Sequence, residues 1–206
     1  MAKLPLIDFT WSRDPKGYHL VESKSAPRLR VVRNGAGNDL VPCRPLAGDE
    51  FRVFASIGRT PEGVLDFIQR YGPLSEEGHG SMGEQVHYVM FQATTMHQLL
   101  AADSDQRPPL LPIRPVVSMP SIFVQAAVYW DPTVKAPRWW FGPNSLLDAL
   151  WLQFGEAVTR GAQIRACQHC GRWFETGAGT GRRADAKFCS DEHRIAFNSL
   201  KRSKGD

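Results

Sequence analysis

Apolar positions recur along this chain in two rhythms, and the change between them sets the expected architecture. Over the first sixty residues the apolar runs are short, as in LPLIDF and RLRVV, and turn residues at Asp14–Gly17 and Asn34–Asn38 interrupt them. That pattern predicts short strands and loops. From Thr60 the spacing becomes helical: Val64, Leu65, Ile68 and Tyr71 share a face, Thr60 is placed to cap, Pro61 suits the first helical position, and Gly72-Pro73 ends the run. A second helix is expected after Ser81–Glu84, which reads as a capping box, with Val86, Val89, Met90, Ala93, His97 and Leu100 on one stripe. His87 and His97 lie too far apart along that helix to share an ion and read as surface or core-edge histidines.

Residues 103–120 contain five prolines and are expected to form an extended strap rather than a helix. Ile122–Trp130 and Arg138–Phe141 then read as two strands of a hairpin. Tyr129, Trp130, Trp139, Trp140 and Phe141 concentrate here. They suit a core beneath the hairpin, the alternative being a stacking surface for bases or another flat ligand. A third helix is expected from a cap at Asn144, with Leu146, Leu147, Leu150, Trp151, Phe154 and Val158 as its apolar face and Gly161 as its end. The predicted fold class is α+β: a mixed N-terminal domain over residues 1–161, with about three helices and short strands, then a small separate module over residues 162–206.

Charge distinguishes the two parts. The net charge of the chain is +4, yet residues 160–206 alone hold 10 Lys/Arg against 5 Asp/Glu, so the basic excess belongs to the tail. No run approaches the roughly 18 apolar residues that span a bilayer, and the N-terminus has no secretory pattern, so no membrane association and a cytoplasmic location are expected.

Three of the four cysteines fall in the tail, as Cys167, Cys170 and Cys189, with His193 four residues beyond the last. This CxxC plus CxxxH spacing is that of zinc ligands, whereas disulfides are rare in a reducing cytoplasm. Cys43 is left over and reads as a partly buried free thiol. In the tail, Gly171 permits the left-handed turn out of a Cys167–Cys170 knuckle, Arg172–Thr176 is expected as a strand, and Ala186–Phe188 as its returning partner. Ser190 is placed to cap a helix from about Asp191 to Lys201. Cys189 and His193 would straddle that helix start and face the knuckle, closing one structural Zn2+ site in a treble-clef arrangement. His169, inside the knuckle, competes as fourth ligand. Four protein ligands leave no open position for metal catalysis, so no enzymatic role is expected.

The strings CQHCGRWF and RRADAKFCSDEHR resemble the short treble-clef fingers of bacterial proteins, and more loosely the CGNR and MYND-like finger types. The resemblance covers residues 165–204; His193 stands where those families usually carry cysteine, and the CGNR tetrapeptide is absent. It implies a regulator of transcription, with the larger domain acting as a ligand sensor or dimerisation unit. The basic residues Arg172, Arg182, Arg183, Lys187, Arg194, Lys201, Arg202 and Lys204 are candidates for contacts to nucleic acid, DNA first, through its phosphates. The other reading is a protein-interaction adaptor that uses Trp173 and Phe197 as exposed anchors on the finger.

Overall fold

In the computed structural model the described residues are 9–22, 29–35, 39–43, 50–101, 123–133 and 135–203. In chain order their elements are β1 (Trp11–Arg13), β2 (Tyr18–Glu22), β3 (Leu29–Arg33), β4 (Val41–Cys43), α1 (Glu50–Ala55), α2 (Pro61–Tyr71), β5 (Glu84–Gln85), α3 (Val86–Ala101), β6 (Val124–Asp131), β7 (Ala136–Pro143), α4 (Leu146–Thr159), β8 (Gln163–Ala166), β9 (Trp173–Thr176) and α5 (Asp191–Ser203). The class is α+β, with five α-helices and small antiparallel sheets among the described residues. The sheets pair β1 with β4, β2 with β3 and β5, β6 with β7, and β8 with β9. The proline-rich stretch lies outside the described residues.

Helix α2 forms as its local signals dictate. Thr60 Oγ1 accepts from the Gly63 amide at 3.2 Å, Pro61 opens the first turn, and Val64, Phe67, Ile68 and Tyr71 are buried. Gly72 ends it at φ +89°, where a Cβ would stand 2.5 Å from the Ser12 carbonyl oxygen, so only glycine fits. Short helix α1 falls where strands and loops were expected; Phe51, Phe54 and Ala55 lie at helical spacing and are buried against α3 and α4.

Two expected caps are placed differently. Ser81 and Glu84 form no capping box: Glu84 belongs to β5, pairs with Val31, and its buried carboxylate accepts from the amides of Leu74 and Ser75 at 3.0 and 3.2 Å. Those donors belong to a loop left without helical partners, and they claim the carboxylate before α3 begins. Helix α4 is capped by Ser145, whose Oγ accepts from the Asp148 amide at 3.1 Å, while Asn144 precedes the cap and bonds Gln125.

One buried cluster joins α1–α4 to β1–β3 and to β8 and β9. It runs from Phe9, Trp11 and Val31 through Phe54, Ile68, Val89, Met96 and Trp151 to Ile164 and Trp173. Two polar pairs lie inside it, where Trp151 Nε1 donates to Gln92 at 3.3 Å and Gln153 donates to Glu50 at 3.0 Å, whereas both ring nitrogens of His79, packed on Trp11, are buried without a hydrogen-bond partner among the described residues. The β6–β7 hairpin forms as expected, with Val128 paired to Trp139 and Tyr129 to Arg138. Trp130 on its β6 strand is 64 % exposed and so fills no core. The side chains of Tyr129, Trp139, Trp140 and Phe141 lie outside the described residues.

Candidate metal centre

The tail folds around its cysteines by local rules. Strands β8 and β9 pair from Gln163 opposite Thr176 to Ala166 opposite Trp173, and Cys167–Cys170 forms the turn between them. Inside this knuckle the Gly171 amide donates to the Cys167 carbonyl at 2.8 Å, and Gly171 adopts φ +72°. The partner of β9 is therefore the preceding β8, not the expected Ala186–Phe188. That later segment forms no strand; it meets the knuckle through one bond, Gln168 amide to Lys187 carbonyl at 3.0 Å. Six residues, Cys167 to Arg172, connect the paired Ala166 and Trp173.

Downstream, Ser190 Oγ accepts from the His193 amide at 3.3 Å and starts α5, with Asp191 and Glu192 in its first turn where the helix dipole favours acid. Cys189 and His193 consequently flank the helix start and reach back to the knuckle. Cys189 Sγ lies 2.9 Å from His193 Nδ1, Cys167 Sγ lies 3.8 Å from the same nitrogen, and Cys170 Sγ lies 3.9 Å from Cys189 Sγ. All four donor atoms of Cys167, Cys170, Cys189 and His193 fall within 4.8 Å of one another. This set could hold a metal ion. His169 is not among the four; its ring packs on that of His193 at 4.9 Å between centroids.

The site's electrostatics also suit a cation. Burial opposes ionisation of Cys167, but backbone amides of Cys170, Cys189 and His169, with the His193 side chain, outweigh it and bring the thiol to about 6. Cys189 is pushed up to about 12 by burial first and then by hydrogen bonding and charge from Cys167 and Cys170. Three sulfurs this close cannot all ionise unless a positive charge stands among them.

Compared with models of known protein families, with curated proteins and with solved structures, this chain matches none.

The basic candidates divide by their partners. Arg172, Arg182, Arg183, Lys187, Arg194, Lys201 and Arg202 are all exposed, and Lys204 lies outside the described residues. Arg183 pairs with Asp185 at 3.5 Å and Arg194 with Asp191 at 3.1 Å. Arg182 donates to the Cys189 carbonyl at 3.0 Å and lies over the Phe174 ring. Arg172, Lys187, Lys201 and Arg202 have no ion-pair partner among the described residues. The anchor expected at Trp173 is not exposed: its indole is inserted into the helical core and keeps only 9 % of its surface. Phe197 is half-buried against Phe188 at 5.2 Å between centroids. Cys43 stays a free, half-buried thiol, its pKa raised by burial, with Sγ 3.6 Å from the Tyr71 carbonyl. Among the described residues no helix is long and apolar enough to cross a membrane.

Sequence reasoning passed over three residues that hold this module in place. Arg52 on α1 and Arg160 after α4 both pair with Glu175 of β9, Arg52 at 3.2 Å, and Ser56 accepts from the Trp173 amide at 3.3 Å. A buried Glu on a strand whose neighbours are Trp-Phe was the available signal, since a carboxylate there requires cationic partners.

Proposed function

We propose that this chain is a zinc protein whose C-terminal segment, residues 162–206, is a structural treble-clef finger of the bacterial type that it resembles, and that the finger contacts nucleic acid, DNA first, through backbone phosphates. The observation that carries the zinc reading is the convergence of three sulfurs and one imidazole nitrogen within 4.8 Å. A tetrahedral ion with Zn–S bonds of about 2.3 Å separates sulfurs by about 3.8 Å, and the Cys170–Cys189 distance of 3.9 Å suits it. Thiolates with imidazole favour zinc over harder cations. A knuckle at a hairpin turn, facing a helix start, supports the treble-clef plan.

Four protein donors leave no open coordination position, which supports a non-enzymatic role. Cations without carboxylate partners at Arg172, Lys187, Lys201 and Arg202 support phosphate contact. Residues 1–161 would then serve as a sensor or dimerisation unit, in a reducing compartment such as the cytoplasm.

The deciding experiment pairs metal analysis of the purified chain with sequencing of co-purified nucleic acid. One zinc per chain with enriched DNA fragments is the expected result, and zinc without nucleic acid rejects the phosphate-binding role. That second outcome favours an adaptor that recruits a protein partner through the finger, a reading supported by Ile195 and Leu200 on α5, which are 60 % and 54 % exposed.

A further inference from the structure

Strand β9 leaves the knuckle at Gly171 and within two residues enters the helical core. The Trp173 indole packs edge-on against His97 of α3 at 5.1 Å between centroids, with its Nε1 3.2 Å from His97 Nδ1. The Trp173 amide donates to Ser56 just after α1. Two residues on, the Glu175 carboxylate is held between Arg52 of α1 and Arg160. Ile164, on the paired strand β8, is buried in the same cluster. The other half of the metal set is mounted differently: no residue of α5 is buried. The hairpin that carries Cys167 and Cys170 is therefore fixed by the core, while His193 sits on α5, a helix that buries none of its residues, and Cys189 lies two residues before it.

We infer that metal occupancy of the Cys167–Cys170–Cys189–His193 set and the seating of Trp173 against α1 and α3 are coupled through β9, with Trp173 and His97 as positioning residues for the knuckle. This rests on the metal reading above. The physical reason is that a rigid strand transmits the knuckle's geometry: ligation fixes Cys170, which fixes the register of β9, which seats Trp173 between α1 and α3. Coupling of this kind is reciprocal. Metal must stabilise α1 and α3, and loosening the Trp173 seat must weaken metal binding, although neither Trp173 nor His97 is a ligand.

His97 offers the cleaner handle, because its Nδ1 stands 3.0 Å from the Ala55 carbonyl as well as 3.2 Å from the Trp173 indole nitrogen. One ring nitrogen serves one of these at a time: unprotonated, it accepts from Trp173; protonated, it donates to Ala55. His97→Leu keeps similar bulk and removes both.

The test uses the full chain loaded with zinc. Zinc affinity is measured by competition with a chromophoric chelator for the native chain, for His97→Leu, and for Val64→Ala, a cavity variant in α2, which packs on α3 and on β1–β3. Hydrogen exchange of α1 and α3 is followed before and after metal removal. The expected result is zinc affinity reduced about tenfold by His97→Leu, unchanged by Val64→Ala, and lost protection in α1 and α3 on metal removal. Equal affinities for all three chains, with exchange changes confined to residues 163–203, overturn the coupling while leaving the zinc site standing. A native chain that binds no stoichiometric zinc overturns both the metal reading and the coupling. If His97→Leu does not fold, Trp173→Phe, which keeps a ring and loses the N–H, carries the same affinity test with the same two outcomes.

Discussion

Arg182 donates from Nη2 to the carbonyl of Cys189 across 3.0 Å, so a cation expected to face phosphates also braces the backbone of a candidate metal ligand. Its guanidinium covers the Phe174 ring as well, at 5.8 Å from the centroid. The two roles have separable consequences. Arg182→Ala removes a charge-assisted bond worth about 1 kcal/mol at an exposed position, and zinc affinity should fall about fivefold. Arg182→Lys keeps the charge without the planar fork and should recover only part of that loss. A chelator competition titration reads both. Unchanged affinity in the alanine variant would assign Arg182 wholly to the surface.

The start of α4 gives a second test, because two neighbouring residues have cap chemistry and one is used. Ser145 Oγ accepts from the Asp148 amide at 3.1 Å, whereas Asn144 turns to Gln125. Ser145→Ala should lower stability by about 1 kcal/mol, with Asn144→Ala costing less than half as much. Denaturant unfolding monitored by helix signal measures the difference, and equal losses would refute the placement of the cap.

How far the sequence reveals this fold depends on how local each determinant is. Helix α2 is readable because Thr60, Pro61 and Gly72 act within a turn of the residues they organise. The four metal-set residues are readable for the same reason, since knuckle spacing and the Ser190 cap are local geometry. The partner of β9 is not, because β8 is four residues with a single strongly apolar side chain, Ile164, and pairing is decided by what the sheet packs upon. Burial of Trp173 is hidden too: it is covered by His97 and Ser56, 76 and 117 positions away along the chain. Helix α1 lies between these cases, for Phe51, Phe54 and Ala55 have helical spacing but only six residues in which to show it.

Glu84 predicts a pH dependence with a definite sign. Burial raises its pKa above the ordinary 4.5, against the lowering effect of hydrogen bonds from Ser75 and Leu74. A carboxylate raised on folding binds its proton more tightly in the native state. Its contribution to stability is therefore fully present below 4.5 and is lost as pH rises through the folded value. The Glu84 contribution should grow as pH is lowered through its folded value toward 4.5, while buried His79, whose pKa is lowered by burial, acts in the opposite sense below 6.5, so the Glu84 share is read as the difference between the native chain and Glu84→Gln. Denaturant midpoints across this range test it; a slope unchanged in Glu84→Gln would place the titrating group elsewhere.

Phosphate contact makes its own quantitative demand, because every neutralised phosphate releases counterions. For duplex DNA the logarithm of affinity falls with the logarithm of salt concentration by about 0.9 for each contact. Lys201 and Arg202 stand in the last turn of α5 without a carboxylate partner among the described residues, so replacing both by alanine should reduce the slope by about two. Arg194 is already paired with Asp191 at 3.1 Å, and Arg183 with Asp185, so alanine at either should change the slope by less than one half. Fluorescence anisotropy with a labelled duplex, titrated at several salt concentrations, gives each slope. If the native chain binds but all four alanine positions leave its slope alone, helix α5 and Arg183 do not carry the attraction, which then falls to Arg172 and Lys187 or to residues 1–161.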